Sequence, residues 1–335
     1  MSKTDDDRPE QTPPTDGVAG TVAIIGRPNV GKSTLLNHIV GQKLAIVSAR
    51  PQTTRNRIVG VWTGTGKALG GHPERRGQIV FVDTPGFHQA RTALNRFMVD
   101  EALAALESVE AVLVVVSLEN EEGEGGNLPS GARKTHPLEA RLWELCQAAG
   151  RPVILALNKV DRLKDKQVLL PLLQANADKT SLAAQVPVSA TRGTGIDALI
   201  AEILAVLPAG LPLYDPEMLT DRTERFLAGE LVREQLFARL RQELPYATAV
   251  VVDNWEERPR GDVVIDATIV VEREAQKAIV VGHHGAMIGE IGQAARLEIA
   301  ELLGRPAHLR LHVKVAPKWT ESEAALSRYG YGKER

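Results

Sequence analysis

Two hydrophobic rhythms divide the chain. In its first two-thirds, short apolar runs recur at 21–25, 57–62, 78–82, 111–117 and 152–157. They are rich in Val and Ile, which predicts strands buried on both faces, as in a mostly parallel sheet. Between them the period lengthens. Residues 32–40 put Leu35, Leu36, Ile39 and Val40 on one helical face, and Gly41 follows as a stop signal. A further helix over 196–207 is closed by Pro208.

A Pro-rich stretch, 209–216, leads to a different pattern. Residues 223–244 read as a helix with Phe226, Val232, Leu236 and Leu240 available for a buried side. Strand-like runs follow at 248–254 and 262–271. Residues 279–281 lead into the turn Gly282-His283-His284-Gly285, then a helix carrying Ile288, Ile291, Leu297 and Ile299, then an alternating strand at 309–315. The pattern predicts a tail over 1–17, an α/β domain over 18–208, a linker over 209–218, a smaller α+β domain over 219–319 and a C-terminal tail over 320–335. A length of 335 residues suits two separate cores.

Chemistry enters at the first strand-to-helix junction, Gly26-Arg27-Pro28-Asn29-Val30-Gly31-Lys32-Ser33. A glycine-rich turn there aims backbone N–H groups and the positive end of a helix at one point, a cradle for phosphate. Lys32 is expected to reach the β- and γ-phosphates and Ser33 to ligate Mg²⁺. The strand at 78–82 ends in Asp83-Thr84-Pro85-Gly86, which sets Asp83 to meet the metal through water and the Gly86 N–H to meet the γ-phosphate. In the interval between these motifs, Thr54, and less so Thr53, is the threonine expected to be ordered by Mg²⁺ and the γ-phosphate. Lys32, Thr54 and Gly86 are therefore the expected catalytic positions.

Asn158-Lys159-Val160-Asp161 closes the strand at 152–157. A carboxylate at Asp161 accepts from guanine N1–H and the N2 amine; adenine lacks that donor pair, so the motif selects GTP over ATP. Ser189 and Ala190 are small enough to let backbone N–H groups approach the base oxygen. In the second domain a Gly-x-x-Gly loop at a helix start is as compatible with a helix cap as with an RNA-backbone clamp; the α+β context favours the clamp.

Composition changes little. The net charge is −2, and from Asp215 onward 17 Lys and Arg face 20 Asp and Glu, a balance of −3. A wholly basic polynucleotide coat is excluded, so RNA affinity would need a local patch, with Lys314 and Lys318 as candidates. The single Cys146 excludes an intrachain disulfide scaffold and reads as core. Residues 1–17 are acidic and Pro-rich, unlike a signal peptide, and no apolar run reaches the ~20 residues of a membrane span, which points to a cytoplasmic protein. Two Gly-rich, charged inserts, 64–77 and 119–135, read as surface loops.

Taken together, these motifs resemble the Era family, bacterial ribosome-assembly GTPases with a C-terminal type II KH domain. The resemblance rests on Gly26–Ser33, Gln52-Thr53-Thr54-Arg55, Asp83–Gly86, Asn158–Asp161 and Val188-Ser189-Ala190. It continues through residues 219–226, Val271-Glu272-Arg273-Glu274, Gly282–Gly285 and Val313-Lys314-Val315. It implies a P-loop GTPase domain with helices flanking its sheet, followed by the KH domain. It implies that the GTP-contacting set runs through Arg27, Pro28, Asn29, Val30, Thr84, Pro85, Phe87, Lys159 and Val160 as well. Implied partners are GTP and GDP, the 3′ end of 16S ribosomal RNA and the 30S subunit, with peripheral inner-membrane association and a monomeric state. Mg²⁺ is the implied cofactor, and Asn29 implies K⁺ as an activator. Phe87 stands where the GTPase template has a water-orienting glutamine, so slow hydrolysis is expected. Two other functions fit less of the chain: an RNA-binding scaffold with negligible turnover, and a related GTPase acting on tRNA or the large subunit.

His283 and His284 stand where the family usually carries Lys or Arg. Two imidazoles predict that RNA affinity strengthens as pH is lowered at fixed salt, measured by fluorescence anisotropy of a labelled oligonucleotide. Equal affinity at neutral and acidic pH would dismiss this.

Overall fold

A computed structural model describes residues 17–331 except 49, 52, 70, 87–91, 119–136 and 177–181. The first domain runs β1 (Val18–Ile25), α1 (Lys32–Val40), β2 (Ile58–Gly66), β3 (Arg75–Asp83), α2 (Ala93–Glu107), β4 (Ala111–Ser117), α3 (Pro137–Ala149), β5 (Val153–Asn158), α4 (Leu169–Asn176), β6 (Leu182–Pro187) and α5 (Ile196–Val206). The second runs α6 (Glu224–Arg239), β7 (Ala249–Glu257), β8 (Val263–Val271), α7 (Glu274–Val281), α8 (Ala286–Leu303), β9 (Ala307–Val315) and α9 (Glu323–Arg328).

Six strands form one sheet in the order β2-β3-β1-β4-β5-β6, with only β2 antiparallel to its neighbour. Along β1, Val22 and Ile24 face the helices α1 and α5, while Ala23 and Ile25 face α2, α3 and α4. Burial on both faces is why these strands read as unbroken apolar runs. Helix α1 ends as its sequence signals: Gly41 takes φ 77° and its N–H donates to Asn37 O at 2.9 Å. Cys146 is fully buried, and burial pushes its thiol up to about 12. The insert at 64–77 is a hairpin whose ladder continues to Gly66 and Arg75; the other insert lies outside the described residues.

The second sheet has the order β7-β8-β9, with β8 and β9 parallel, and α6, α7 and α8 cover one face. This is the α-β-β-α-α-β order of the expected KH domain, joined to the α/β GTPase-type domain. Two expectations shift. The helix expected over 223–244 stops at Arg239, where Leu240 turns extended at ψ 159°, and a 3₁₀ turn, Leu244–Ala247, contains Pro245. Every residue from Leu231 to Phe237 is buried, so α6 has no solvent face along that stretch. It lies between the two domains rather than on one surface. Residues 320–331, read as tail from sequence, carry α9, and Trp319, Leu326 and Tyr331 pack with Ala93, Leu94 and Met98 of α2.

The linker is pinned. The buried Gln78 accepts from the N–H groups of Leu213 and Tyr214 at 2.7 and 2.8 Å and donates to Tyr214 O at 2.9 Å. Val61 N–H donates to Leu219 O at 2.8 Å. Ile291 of α8 is fully buried in the second core. Ile291→Ala is expected to cost about 2–5 kcal/mol by urea unfolding, because the rigid sheet and helices cannot close the cavity.

Candidate functional site

The loop between β1 and α1 owes its shape to left-handed residues. Asn29 has φ 63° and Gly31 φ 97°, a turn that gathers successive N–H groups. A Cβ on Gly31 would lie 2.4 Å from Asn158 Nδ2, so no side chain fits there. Asn158 in turn donates to Val30 O at 2.8 Å and accepts from Lys159 N–H at 2.8 Å and Ala190 N–H at 3.0 Å. One buried amide thus ties three loops from three strands together.

Beside that junction opens a cavity of about 660 Å³. Residues 27–33, Thr54, Gly86, Asn158, Lys159, Asp161 and Ala190 line it. Lys32 is buried, and its ammonium donates to the carbonyls of Gly26 and Arg27, both at 3.1 Å. Burial lowers its pKa to about 8, against the opposing pull of Asp83. Ser33 Oγ donates to Asp83 Oδ2 at 2.7 Å and lies 2.9 Å from Thr54 Oγ1, which is itself 3.4 Å from the same carboxylate. Burial pushes the Asp83 carboxyl up to about 6, although Lys32 and the two hydroxyls pull it down.

Asp83 Oδ1 is buried without a hydrogen-bond partner. An orphaned carboxylate oxygen beside two converging hydroxyls is a donor set that fits a small hard cation. Among the described residues no cluster of three His, Cys, Asp or Glu could hold a metal unaided. A cation here would complete its shell with phosphate oxygens and water, the habit of Mg²⁺.

At the far end of the cavity, Asp161 accepts a hydrogen bond from Ser189 Oγ at 2.5 Å. Ser189 is fully buried and Asp161 half-buried, so the serine fixes the carboxylate while leaving its other oxygen available. Other predicted positions do not face the cavity. Thr84 donates to Ile24 O at 2.9 Å, fastening the end of β3 to β1. Val160 packs into the core, Pro85 is buried, and Phe87 lies outside the described residues. Sequence reasoning missed Ser48, Ser117 and Glu139, which also line the cavity. They come from segments without a motif, so spacing gave no signal.

In the second domain, Gly282 (φ 72°), His284 (φ 51°) and Gly285 (φ 82°) form a left-handed turn that feeds α8. A Cβ on Gly282 would strike Met287 at 2.7 Å. The two imidazole rings meet edge to face at 4.0 Å, and exposed Ile279 sits one turn before them on α7. Lys314 does not join this group: it alternates with Val313 and Val315, which pack toward the helices, so it lies on the opposite sheet face. Lys318 sits on the C-terminal segment at the start of the 3₁₀ turn Trp319–Glu321.

A family model described as a 50S ribosome-binding GTPase matches residues 21–159, and a KH domain model matches 243–320. The GTPase Era of Geobacter metallireducens is 45% identical over 315 residues, covering 93% of this chain and 97% of that protein. The GTPase Era of Stenotrophomonas maltophilia strain K279a is 44% identical over 324 residues, covering 96% and 99%. Two solved structures share 34% identity and cover 94% of this chain and 99% of theirs. One is a variant of Aquifex aeolicus Era bound to GDP·AlF4⁻, with a TM-score of 0.82. The other is Era in complex with MgGDPNP and nucleotides 1506–1542 of 16S ribosomal RNA, with a TM-score of 0.81. Near-complete coverage at this identity, over a phosphate cradle joined to a KH fold, establishes that the chain belongs to the GTPase Era family.

Proposed function

We propose that this GTPase is a nucleotide-controlled switch whose KH domain engages the 3′ end of 16S ribosomal RNA during assembly of the 30S subunit in the cytoplasm. One observation carries the reading. Ser33, Thr54 and Asp83 meet at one end of a cavity whose other end presents Asp161, so a triphosphate and a guanine are recognised by one continuous surface. The complex of a 34% identical Era with MgGDPNP and 16S ribosomal RNA supports the RNA assignment.

Each residue then has a physical task. Asp161, held by Ser189, accepts the two guanine donors. Lys32 exchanges its two loop carbonyls for phosphate oxygens, a substitution of a stronger acceptor for weaker ones. The loop N–H groups spread the phosphate charge. Ser33, Thr54 and Asp83 would hold Mg²⁺, which would supply positive charge to the phosphates when bound. The Gly86 N–H would address the γ-phosphate, at a position where a Cβ would come within 3.1 Å of Pro28. Phe87 cannot orient a water, so unaided turnover is slow, and K⁺ held with the help of Asn29 would supply the missing charge. The Gly282 and Gly285 N–H groups donate to Ala278 O and Gly282 O, so the turn would meet the RNA backbone through His283 and His284, and Ile279 offers an apolar contact for a base.

Lys32→Ala is expected to abolish nucleotide binding in calorimetric titration; tight GTP binding by that variant would refute the site. Asp161→Ala should narrow GTP-over-ATP discrimination by about 1.5–3 kcal/mol, on the order of 10- to 100-fold, by competition binding. Because burial holds the free Asp83 carboxyl at about 6, Mg²⁺ must displace a proton below that pH. Apparent Mg²⁺ affinity should fall by up to roughly tenfold per pH unit as pH drops through about 6. Asp83→Asn should weaken binding above about pH 6 and flatten that dependence.

A further inference from the structure

Among its described residues, the stretch that carries Thr54, between α1 and β2, is gripped by the second domain at Lys43, Arg50, Thr53 and Arg55. Lys43 Nζ lies between Glu234 and Glu298, at 2.8 and 2.7 Å. Arg50 donates to Leu240 O. Arg233 of α6, held by both oxygens of Glu230 at 2.8 and 2.6 Å, donates to Thr53 O. Arg55 makes the most hydrogen bonds of these contacts. Only 2% exposed, it donates from Nη1 to Thr248 O at 2.6 Å and from Nη2 to Tyr246 O at 2.9 Å and Pro245 O at 3.2 Å.

Tyr331 completes that cage from the C-terminal segment. Its hydroxyl lies 3.4 Å from Arg55 Nη1, and its ring lies under the guanidinium carbon at 5.4 Å. Tyr331 stacks on Trp319 with centroids 5.8 Å apart, and Trp319 Nε1 donates to Ala247 O at 3.0 Å. A guanidinium fork suits three carbonyls at fixed angles, a geometry that an ammonium cannot match. The carbonyl before Thr54 and the side chain after it are thus both clamped by the second domain, while the Thr54 hydroxyl points to Ser33 and Asp83.

We propose that Arg55 is a positioning residue for Thr54. Its seating in the 245–248 carbonyl cage over Tyr331 makes docking of the RNA-binding domain and binding of the magnesium triphosphate a single linked equilibrium. The inference rests on the GTPase reading of the cavity. It adds the route by which the two domains communicate. Linkage is reciprocal: whatever docking contributes to Thr54 order, the γ-phosphate returns to docking. GDP makes no demand on Thr54 through a γ-phosphate and should be indifferent to Arg55.

The test uses the full chain with GDP, a non-hydrolysable GTP analogue and Mg²⁺ titrations. Arg55→Ala should weaken analogue binding and raise the half-saturating Mg²⁺ concentration by a factor in the range of about 5 to 150, with GDP affinity unchanged. Arg55→Lys should fail to rescue, since it restores charge without the fork. Tyr331→Ala, remote from the nucleotide, should shift analogue affinity in the same direction. The Arg55→Ala/Tyr331→Ala double variant should show less than the sum of the two effects. Retained GDP binding certifies that each variant is folded; should Arg55→Ala lose it, Arg55→Lys and Tyr331→Ala carry the test. Analogue affinity and Mg²⁺ dependence equal to wild type in a variant that binds GDP would overturn the inference. Failure of the wild-type chain to bind GTP would instead overturn the GTPase reading beneath it.

Discussion

Two dehydrated charges of opposite sign organise the molecule. Asp83 ends β3 and Lys32 opens α1 beyond the loop that follows the neighbouring parallel strand β1; both are buried, and burial drives each toward its neutral form. Neither is fully compensated by protein: the lysine rests on carbonyls of its own loop, and one carboxylate oxygen has no partner. Withholding protein partners from buried charges costs free energy. On the proposed function, that cost would be recovered when a polyanion and a divalent cation arrive together, which would favour the pair over either alone.

Everything above this pair exists to hold it. The parallel sheet delivers the ends of β1, β3 and β5 to one edge, where Asn158 binds loops to each other. The side chains there are small or fixed by hydrogen bonds, which leaves shape to the backbone. The second domain is joined from outside, largely by arginines on carbonyl oxygens: Arg50 and Arg55 of the first domain reach Leu240 O and the 245–248 carbonyls, and Arg233 of the second reaches Thr53 O. Carbonyl acceptors add no countercharge, so these contacts depend on geometry and are sensitive to small displacements of either domain.

Much of this was legible in the chain. The Gly26–Ser33 loop, the carboxylate after β3 and Asn158–Asp161 each sit at the end of a buried strand, where local pattern and chemistry coincide. The two-domain order was legible for the same reason. Arg55 was not. Its partners lie about 190 residues away at 245–248, and a lone arginine between polar neighbours looks solvated. Helix α6 was legible only in part: Val232 and Leu236 read as a buried side, while the burial of Arg233, Glu234 and Gln235 beside them depends on partners far along the chain, Thr53 O, Lys43 and Glu298. The C-terminal segment hid its role because Trp319, Leu326 and Tyr331 follow no helical or strand period. Lys314 shows the converse limit, since charge alone does not say which side of a sheet it occupies.

The clasp that Gln78 places on Leu213 and Tyr214 sets the mechanics of any rearrangement. With Leu219 also bonded to Val61, and Thr220 to Val59 at 2.6 Å, the chain leaves the first sheet only at about residue 221. The pivot is therefore a few residues long, ending at Thr223, which caps α6. A module on so short a leash can swivel but not drift, and its local concentration near the nucleotide stays in the millimolar range or above. A change in domain placement would then be mainly a rotation about this hinge, without the search that a ten-residue tether would impose.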